Sequence, residues 1–155
     1  MSRSLFHRDF LDLFRAFCKH QVEFLVVGAY AMAAHGVPRA TGDLDVWVKP
    51  TLENAKKVYR ALAEFGAPLD EHKLRPEDFS KSGTVYQIGL PPRRIDILTA
   101  ISGASFEQAW PRRLEVNIGG LTVPFLGKLD LIRNKKATGR EKDLLDAKIL
   151  QEQPN

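Results

Sequence analysis

Two aspartates separated by one residue, Asp43 and Asp45, stand in an otherwise apolar stretch, Asp43-Leu44-Asp45-Val46-Trp47-Val48. On an extended strand, residues i and i+2 project from the same face. The two carboxylates then lie side by side and repel each other unless a cation sits between them. Hard oxygen donors of this kind suit Mg²⁺ or Mn²⁺, which take one or two carboxylates and complete their shell with water and substrate phosphates. A third acid, Asp96, has the same apolar flanks in Arg94-Ile95-Asp96-Ile97-Leu98. If its strand pairs beside the first, three carboxylates meet. Two metal ions about 3.5–4 Å apart, clamping a phosphoryl displacement, require such a patch. The same acids can instead be neutralised locally, Asp45 by Arg39 and Asp96 by Arg93 or Arg94. Gly28 adds a second element, because it ends an apolar run and opens a small-residue segment, Ala29-Tyr30-Ala31-Met32-Ala33-Ala34. Bare backbone N–H groups at such a strand-to-helix turn can seat a phosphate.

These residues need strands and helices to hold them. Alternation of Leu44, Val46 and Val48 with Asp43, Asp45 and Trp47 predicts a strand of period two, stopped by Pro50. Val22 to Val27 predicts a buried strand ended by Gly28, followed by a short helix closed by Gly36. Phe6, Phe10, Leu13, Phe14 and Phe17 recur at three and four, predicting an amphipathic helix over residues 5–19. Cys18 lies on its apolar side and reads as a small core residue. Residues 51–66 predict a helix capped by Thr51, with Leu52, Ala55, Val58, Leu62 and Phe65 inward. Residues 67–82 read as an irregular excursion, and residues 84–90 and 93–100 as two strands. Phe106 to Trp110 predicts a helical turn. Gly119-Gly120 marks a tight hairpin between residues 114–118 and 121–126. Two helices separated by Gly139 follow, with Leu129, Ile132, Leu144, Leu145, Ile149 and Leu150 expected on their buried side. Strands interleaved with helices in one unit predict an α/β (α+β) domain around a mixed sheet. Its parts are an N-terminal helix (1–20), a core (22–125) and C-terminal helices (126–150).

The composition sets limits on the function. The chain has 155 residues, 44% hydrophobic and 27% charged, which excludes a disordered or fibrous chain. The longest uncharged apolar run, Phe24 to Ala34, is too short to span a bilayer, so no membrane partner is expected. No secretory leader is visible, and a lone cysteine forbids an intrachain disulfide, so the cytosol is the expected compartment. The net charge of +4 favours polyanionic partners such as nucleotides or RNA.

The stretch from Val26 to Val48 resembles the signature of the nucleotidyltransferase superfamily, the DNA polymerase β-like fold. There an apolar residue precedes Gly-Gly or Gly-Ser, and an acid–apolar–acid–apolar run follows. Here Val27-Gly28-Ala29 is followed by thirteen residues and then Asp43-Leu44-Asp45-Val46. Asp96 resembles the family's third carboxylate. Residues 35–45, together with the tail Gly139-Arg140-Glu141-Lys142-Asp143-Leu144-Leu145-Asp146, are similar to small prokaryotic members related to abortive-infection toxin nucleotidyltransferases. The resemblance implies that Asp43, Asp45 and Asp96 bind Mg²⁺ (or Mn²⁺) and that Asp96 helps deprotonate an acceptor hydroxyl. It also implies that Gly28 and Ala29 hold the triphosphate of an NTP through backbone contacts. A family Ser at the Ala29 position would add a hydroxyl that Ala29 lacks.

Lys128, Lys135 and Arg140 are candidate nucleotide or acceptor contacts, with solvated helix charges as the competing assignment. Asp143 and Asp146 are expected to pair with Arg140 and nearby lysines at helical spacing. His35 is expected to cap a helix, with lining the site as its second role. The implied activity is transfer of a nucleoside monophosphate to an acceptor hydroxyl on an RNA or tRNA end, a protein or a small molecule, in a toxin–antitoxin setting. Ala29 and the small size support a different reading, a catalytically silent binding or antitoxin module of the same fold. A third reading, a metal-dependent phosphatase or nuclease, requires a positioned water.

Overall fold

The computed structural model describes residues 6–40 and 42–154. Residues 1–5, including the first residue of the expected N-terminal helix, and Thr41 of the expected connector lie outside the described residues. Among these, six helices and one six-stranded mixed sheet form in the order expected from the sequence. Among the described residues, no helix is long and apolar enough to cross a membrane.

Helix α1 (Arg8–Lys19) starts where His7 accepts a hydrogen bond from the Asp9 N–H, and it buries Phe10, Leu13, Phe14 and Phe17. Phe6 precedes the helix but is buried, stacking on Tyr30. Phe14 and Phe17 pack on Phe24. Burial stabilises by about 1.5–3 kcal/mol for each such side chain, so this aromatic face anchors α1 to the strand that leads into the site. Cys18 is half-buried, with Sγ 3.7 Å from the Thr122 carbonyl.

Strand β1 (Phe24–Val27) is buried at all four positions. It runs into α2 (Gly28–Ala34), whose C-cap is His35, as expected, and the His35 Nε2 lies 2.8 Å from the Leu126 carbonyl. Strand β2 (Leu44–Val48) begins one residue later than expected, so Asp43 sits just ahead of it. Helix α3 (Leu52–Phe65) is capped by Thr51 and ends at Gly66, whose φ of 100° favours glycine. Its buried stripe is Asn54, Ala55, Val58, Ala61 and Leu62. Leu52 is exposed, contrary to expectation, because it lies in the first turn beyond the edge of that stripe. The 67–82 excursion contains a short 3-10 turn, Pro76–Ser80, which buries Phe79.

Strands β3 (Val85–Ile88) and β4 (Ile95–Leu98) follow, then α4 (Phe106–Ala109). Strands β5 (Leu114–Ile118) and β6 (Leu121–Phe125) form the hairpin expected at Gly119-Gly120, both of which have positive φ. The sheet order is β3-β4-β2-β1-β6-β5. β2 lies between β1, antiparallel, and β4, parallel. The register places Asp45 opposite Val27 on one side and Asp96 on the other.

Helices α5 (Lys128–Thr138) and α6 (Glu141–Glu152) correct the expected burial. Leu129, Leu144 and Leu145 are 47%, 46% and 58% exposed, while Asp130, Asp143 and Asp146 are buried. Asp143, Asp146, Ala147 and Leu150 fall at i, i+3, i+4 and i+7, a single helical stripe. Two of its members are acids because ion pairs fill the interface where apolar contact was expected. Asp130 is likewise held by the Arg112 guanidinium, with N–O distances of 3.0 and 2.7 Å.

Candidate active site

The parallel pairing of β2 with β4 makes Asp45 and Asp96 direct neighbours across the sheet. Asp43 joins them from the connector in front of β2. Burial pushes the Asp45 carboxyl up to about 6, and the Asp96 and Asp43 carboxylates push in the same direction, while the Arg94 guanidinium opposes them. Tyr30 is raised by burial and by the Asp43 charge, which places its phenol near the same patch.

Arg94 stands among these acids. Its Nη2 is 3.3 Å from Asp43 Oδ2 and its Nε is 3.1 Å from Asp96 Oδ1. The second contact lacks hydrogen-bond alignment, leaving both Arg94 Nε and Asp96 Oδ1 buried without a hydrogen-bond partner. Of the two arginines considered for Asp96 from the sequence, Arg94 pairs with it, and it also bridges to Asp43. Arg39 does not pair with Asp45; it pairs with Asp146 of α6.

A cavity of about 750 Å³ opens beside the patch. The β1–α2 turn lines it with Gly28 and Ala29, β2 with Asp45, and β4 with Leu98. Asn134, Lys135 and Thr138 of α5 reach it at helical spacing, and Arg140, Lys142, Asp143 and Asp146 close it from α6 and its cap. Of the candidate site residues, Gly28, Ala29, Asp45, Lys135 and Arg140 therefore share one cavity. Lys128 does not line it, because its Nζ donates to the Gln153 carbonyl at 2.7 Å. Asp43 and Asp96 lie at the patch beside the cavity and are not among its lining residues.

Lys135 is nearly enclosed and lies 3.3 Å from Asp143 and 3.1 Å from Asp146. Thr138 and Arg140 each donate to Asp143 at 2.7 Å. Burial alone would raise the Asp143 carboxyl, but these donors and the Lys135 charge hold it below its usual range. The Arg140–Asp143 pair at i, i+3 is as expected, but Lys135 reaches both acids from the neighbouring helix, outside helical spacing, and Asp146 pairs with Arg39 in place of Arg140. Lys142 and Asn134 escaped the sequence reading. Lys142 lies two residues after Arg140, on the same short turn, and Asn134 precedes Lys135, so the neighbouring candidates were the available signal.

Gly28 has a φ of 69°, and a Cβ added there would lie 2.5 Å from Asp45 Oδ2. The glycine therefore leaves room for an oxygen of the acid patch at the mouth of the turn. Gly28→Ala is expected to cost about 1–2 kcal/mol from the left-handed backbone alone and to push the Asp45 carboxylate aside. Urea unfolding of the variant measures the first effect, and Mn²⁺ titration of wild type and variant side by side measures the second.

The residues suit a hard divalent ion in donor type, and the orphaned Asp96 Oδ1 is an oxygen in want of a ligand. Among the described residues, no three His, Cys, Asp or Glu side chains are gathered as a metal site in this arrangement, which has Arg94 inserted between Asp43 and Asp96.

No protein-family model and no curated protein matches the chain. Solved structures do. A provisionally assigned nucleotidyltransferase from Thermotoga maritima aligns with a TM-score of 0.59 at 18% identity, covering 94% of this chain and 89% of its own. The lincosamide antibiotic adenylyltransferase LnuA, solved with lincomycin bound, gives 0.55 at 14% identity, with 96% and 98% covered. An antigenic nucleotidyltransferase-like protein from Paracoccidioides brasiliensis gives 0.50 at 16% identity, with 92% and 73% covered. At these identities the likeness establishes the fold, a mixed α/β nucleotidyltransferase fold spanning nearly the whole chain.

Proposed function

We propose that the protein is a nucleotidyltransferase that moves a nucleoside monophosphate from an NTP to an acceptor hydroxyl, using Mg²⁺ or Mn²⁺. The observation that carries this reading is the register of β2 and β4, which sets Asp45 beside Asp96 at the edge of a cavity bearing Gly28, Ala29, Lys135 and Arg140. The fold shared with LnuA, an adenylyltransferase, supports the same chemistry.

In this proposal Asp43, Asp45 and Asp96 hold the divalent ion. Bound there, the ion would neutralise phosphate oxygens and make the acceptor hydroxyl easier to deprotonate. Backbone N–H groups of Gly28 and Ala29 contact the triphosphate, and the loss of a Ser hydroxyl at Ala29 leaves that backbone contact intact. Arg140 and Lys142, on the cavity wall, offset the charge of the departing pyrophosphate. Asp96 takes the acceptor proton. One acceptor O–Pα bond forms, the Pα–O bond to the β-phosphate breaks, and pyrophosphate leaves. Such transfer depends mainly on positioning and charge neutralisation, which this arrangement supplies.

The acceptor in this reading is a hydroxyl of an RNA end, a protein or a small molecule. The fold shared with LnuA, which was solved with lincomycin bound, favours a small molecule, and the basic tail favours RNA. The kinship to abortive-infection nucleotidyltransferases and a toxin–antitoxin role belong to the same proposal, resting on the tail motif from Gly139 to Asp146. The test is to incubate the protein with ATP, Mg²⁺ and a lysate fraction and to measure both phosphate products. Pyrophosphate release that requires an acceptor supports the transferase. Orthophosphate release without an acceptor points to a phosphatase. No release and no nucleotide binding point to the silent module.

A further inference from the structure

Arg94 occupies a position that a cation would otherwise take. Its guanidinium spans Asp43 and Asp96, and its charge opposes the mutual repulsion of the acids around Asp45. The fit is imperfect, since Arg94 Nε and Asp96 Oδ1 approach to 3.1 Å yet neither has an aligned hydrogen-bond partner. Arginine normally meets carboxylates through paired, aligned N–H···O bonds. A misaligned contact holds Asp96 by charge alone and is readily exchanged.

The backbone favours that exchange. The Arg94 carbonyl accepts a 2.9 Å hydrogen bond from Leu44 N–H, fixing this residue to the start of β2. Gly42 lies so close to Pro92 that a Cβ there would overlap the Pro92 carbonyl, which pins the two connectors together. Only the side chain, about a third exposed, has freedom to leave.

We propose that Arg94 is the resident counter-ion of the carboxylate patch and that a divalent cation binds by displacing its guanidinium from Asp43 and Asp96. This rests on the metal-site reading above and adds a competition that the reading does not contain. Arg94 stabilises the ion-free protein, and the same contacts set the metal affinity lower than the three acids alone would give.

The test is calorimetric titration of Mn²⁺ alone into the full chain, with thermal unfolding of each ion-free variant alongside. Arg94→Ala is expected to bind Mn²⁺ about tenfold more tightly, the scale of one unit charge acting on a divalent ion in a partly solvated site. Its ion-free melting temperature is expected to fall below wild type. Arg94→Gln, which keeps most of the volume, is expected to show the same gain should the alanine variant fold poorly. Arg93→Ala removes an exposed charge next door and is expected to stay within about twofold of wild type, since exposed charges are screened. Equal or weaker Mn²⁺ binding by both Arg94 variants overturns the competition while leaving the metal site in place. An equal gain in Arg93→Ala also overturns it, reducing the effect to general charge. Absence of Mn²⁺ binding in every chain overturns both the competition and the metal site.

Discussion

Asp45→Asn is expected to yield a more stable protein that has lost nucleotidyl transfer. Asp45 titrates at about 6 in the folded protein against an ordinary value of 3.8, with burial the first cause and the neighbouring acids adding to it. A folded-state value raised above the unfolded one means that the native protein holds this proton more tightly. The resulting stabilisation is fully present below pH ~3.8 and is lost as pH rises through about 6. Above that, the native site carries a half-buried charge beside Asp96. Asparagine removes that charge with little change of shape, so the gain should appear between pH 4 and 6 and level off at about 1–3 kcal/mol above it. The same substitution removes an oxygen of the proposed ion site, and transfer should fall by about 10³-fold or more. Added Mg²⁺ should raise the melting temperature of wild type and leave the variant unchanged. Melting curves from pH 4 to 8, with and without Mg²⁺, give the stability result. An asparagine variant less stable than wild type at pH 7.5 would show that Asp45 is a structural partner and carries no stored repulsion.

Asp146→Ala is expected to be the most destabilising single change in the C-terminal helices, by about 3–5 kcal/mol. Asp146 is 3% exposed and receives both Arg39 and Lys135. Truncation leaves Arg39 without its carboxylate, where its Nε already lacks a partner, and leaves Lys135 with Asp143 alone. Removing one member of a buried pair costs more than the pair contributes, because the remaining charge stays desolvated. The network also joins the connector before β2 to α5 and α6, so its loss should loosen the cavity wall as well as the fold. Urea unfolding measures the stability loss, and ATP titration of the surviving folded fraction measures the loosening. A cost below about 1 kcal/mol would mean that solvent reaches the network and that it behaves as a surface ion pair.

The sequence disclosed the site's frame better than its surroundings. Alternation around Asp43 and Asp45 and the apolar flanks of Asp96 identified two strands, and their pairing brings Asp45 and Asp96 together as anticipated. Alternation could not show that Asp43 stands outside β2, because strand ends depend on where backbone pairing stops. The aromatic spacing of α1 was legible because one face does one job there, burial against β1. Helices α5 and α6 misled for the opposite reason. Reading Leu129, Leu144 and Leu145 as buried assumes that apolar residues define the inner stripe, whereas here Asp143 and Asp146 share it with Ala147 and Leu150. The Asp143–Arg140 pair is local and could be read from spacing. The Arg39–Asp146 pair joins residues 107 positions apart and could not. Arg94 was visible as a partner of Asp96, but its bridge to Asp43 depends on the β2–β4 register.

The proposed reaction is transfer of the α-phosphate group at the Asp43–Asp45–Asp96 patch. The most direct measurement supplies α-labelled and γ-labelled ATP in parallel, with Mg²⁺ and either total RNA or lysate, to wild type and to the Asp43→Ala, Asp45→Ala double variant. The α-label alone is expected to become attached to an acceptor, and only with wild type. Attachment of α-label by the double variant at the wild-type rate would contradict it.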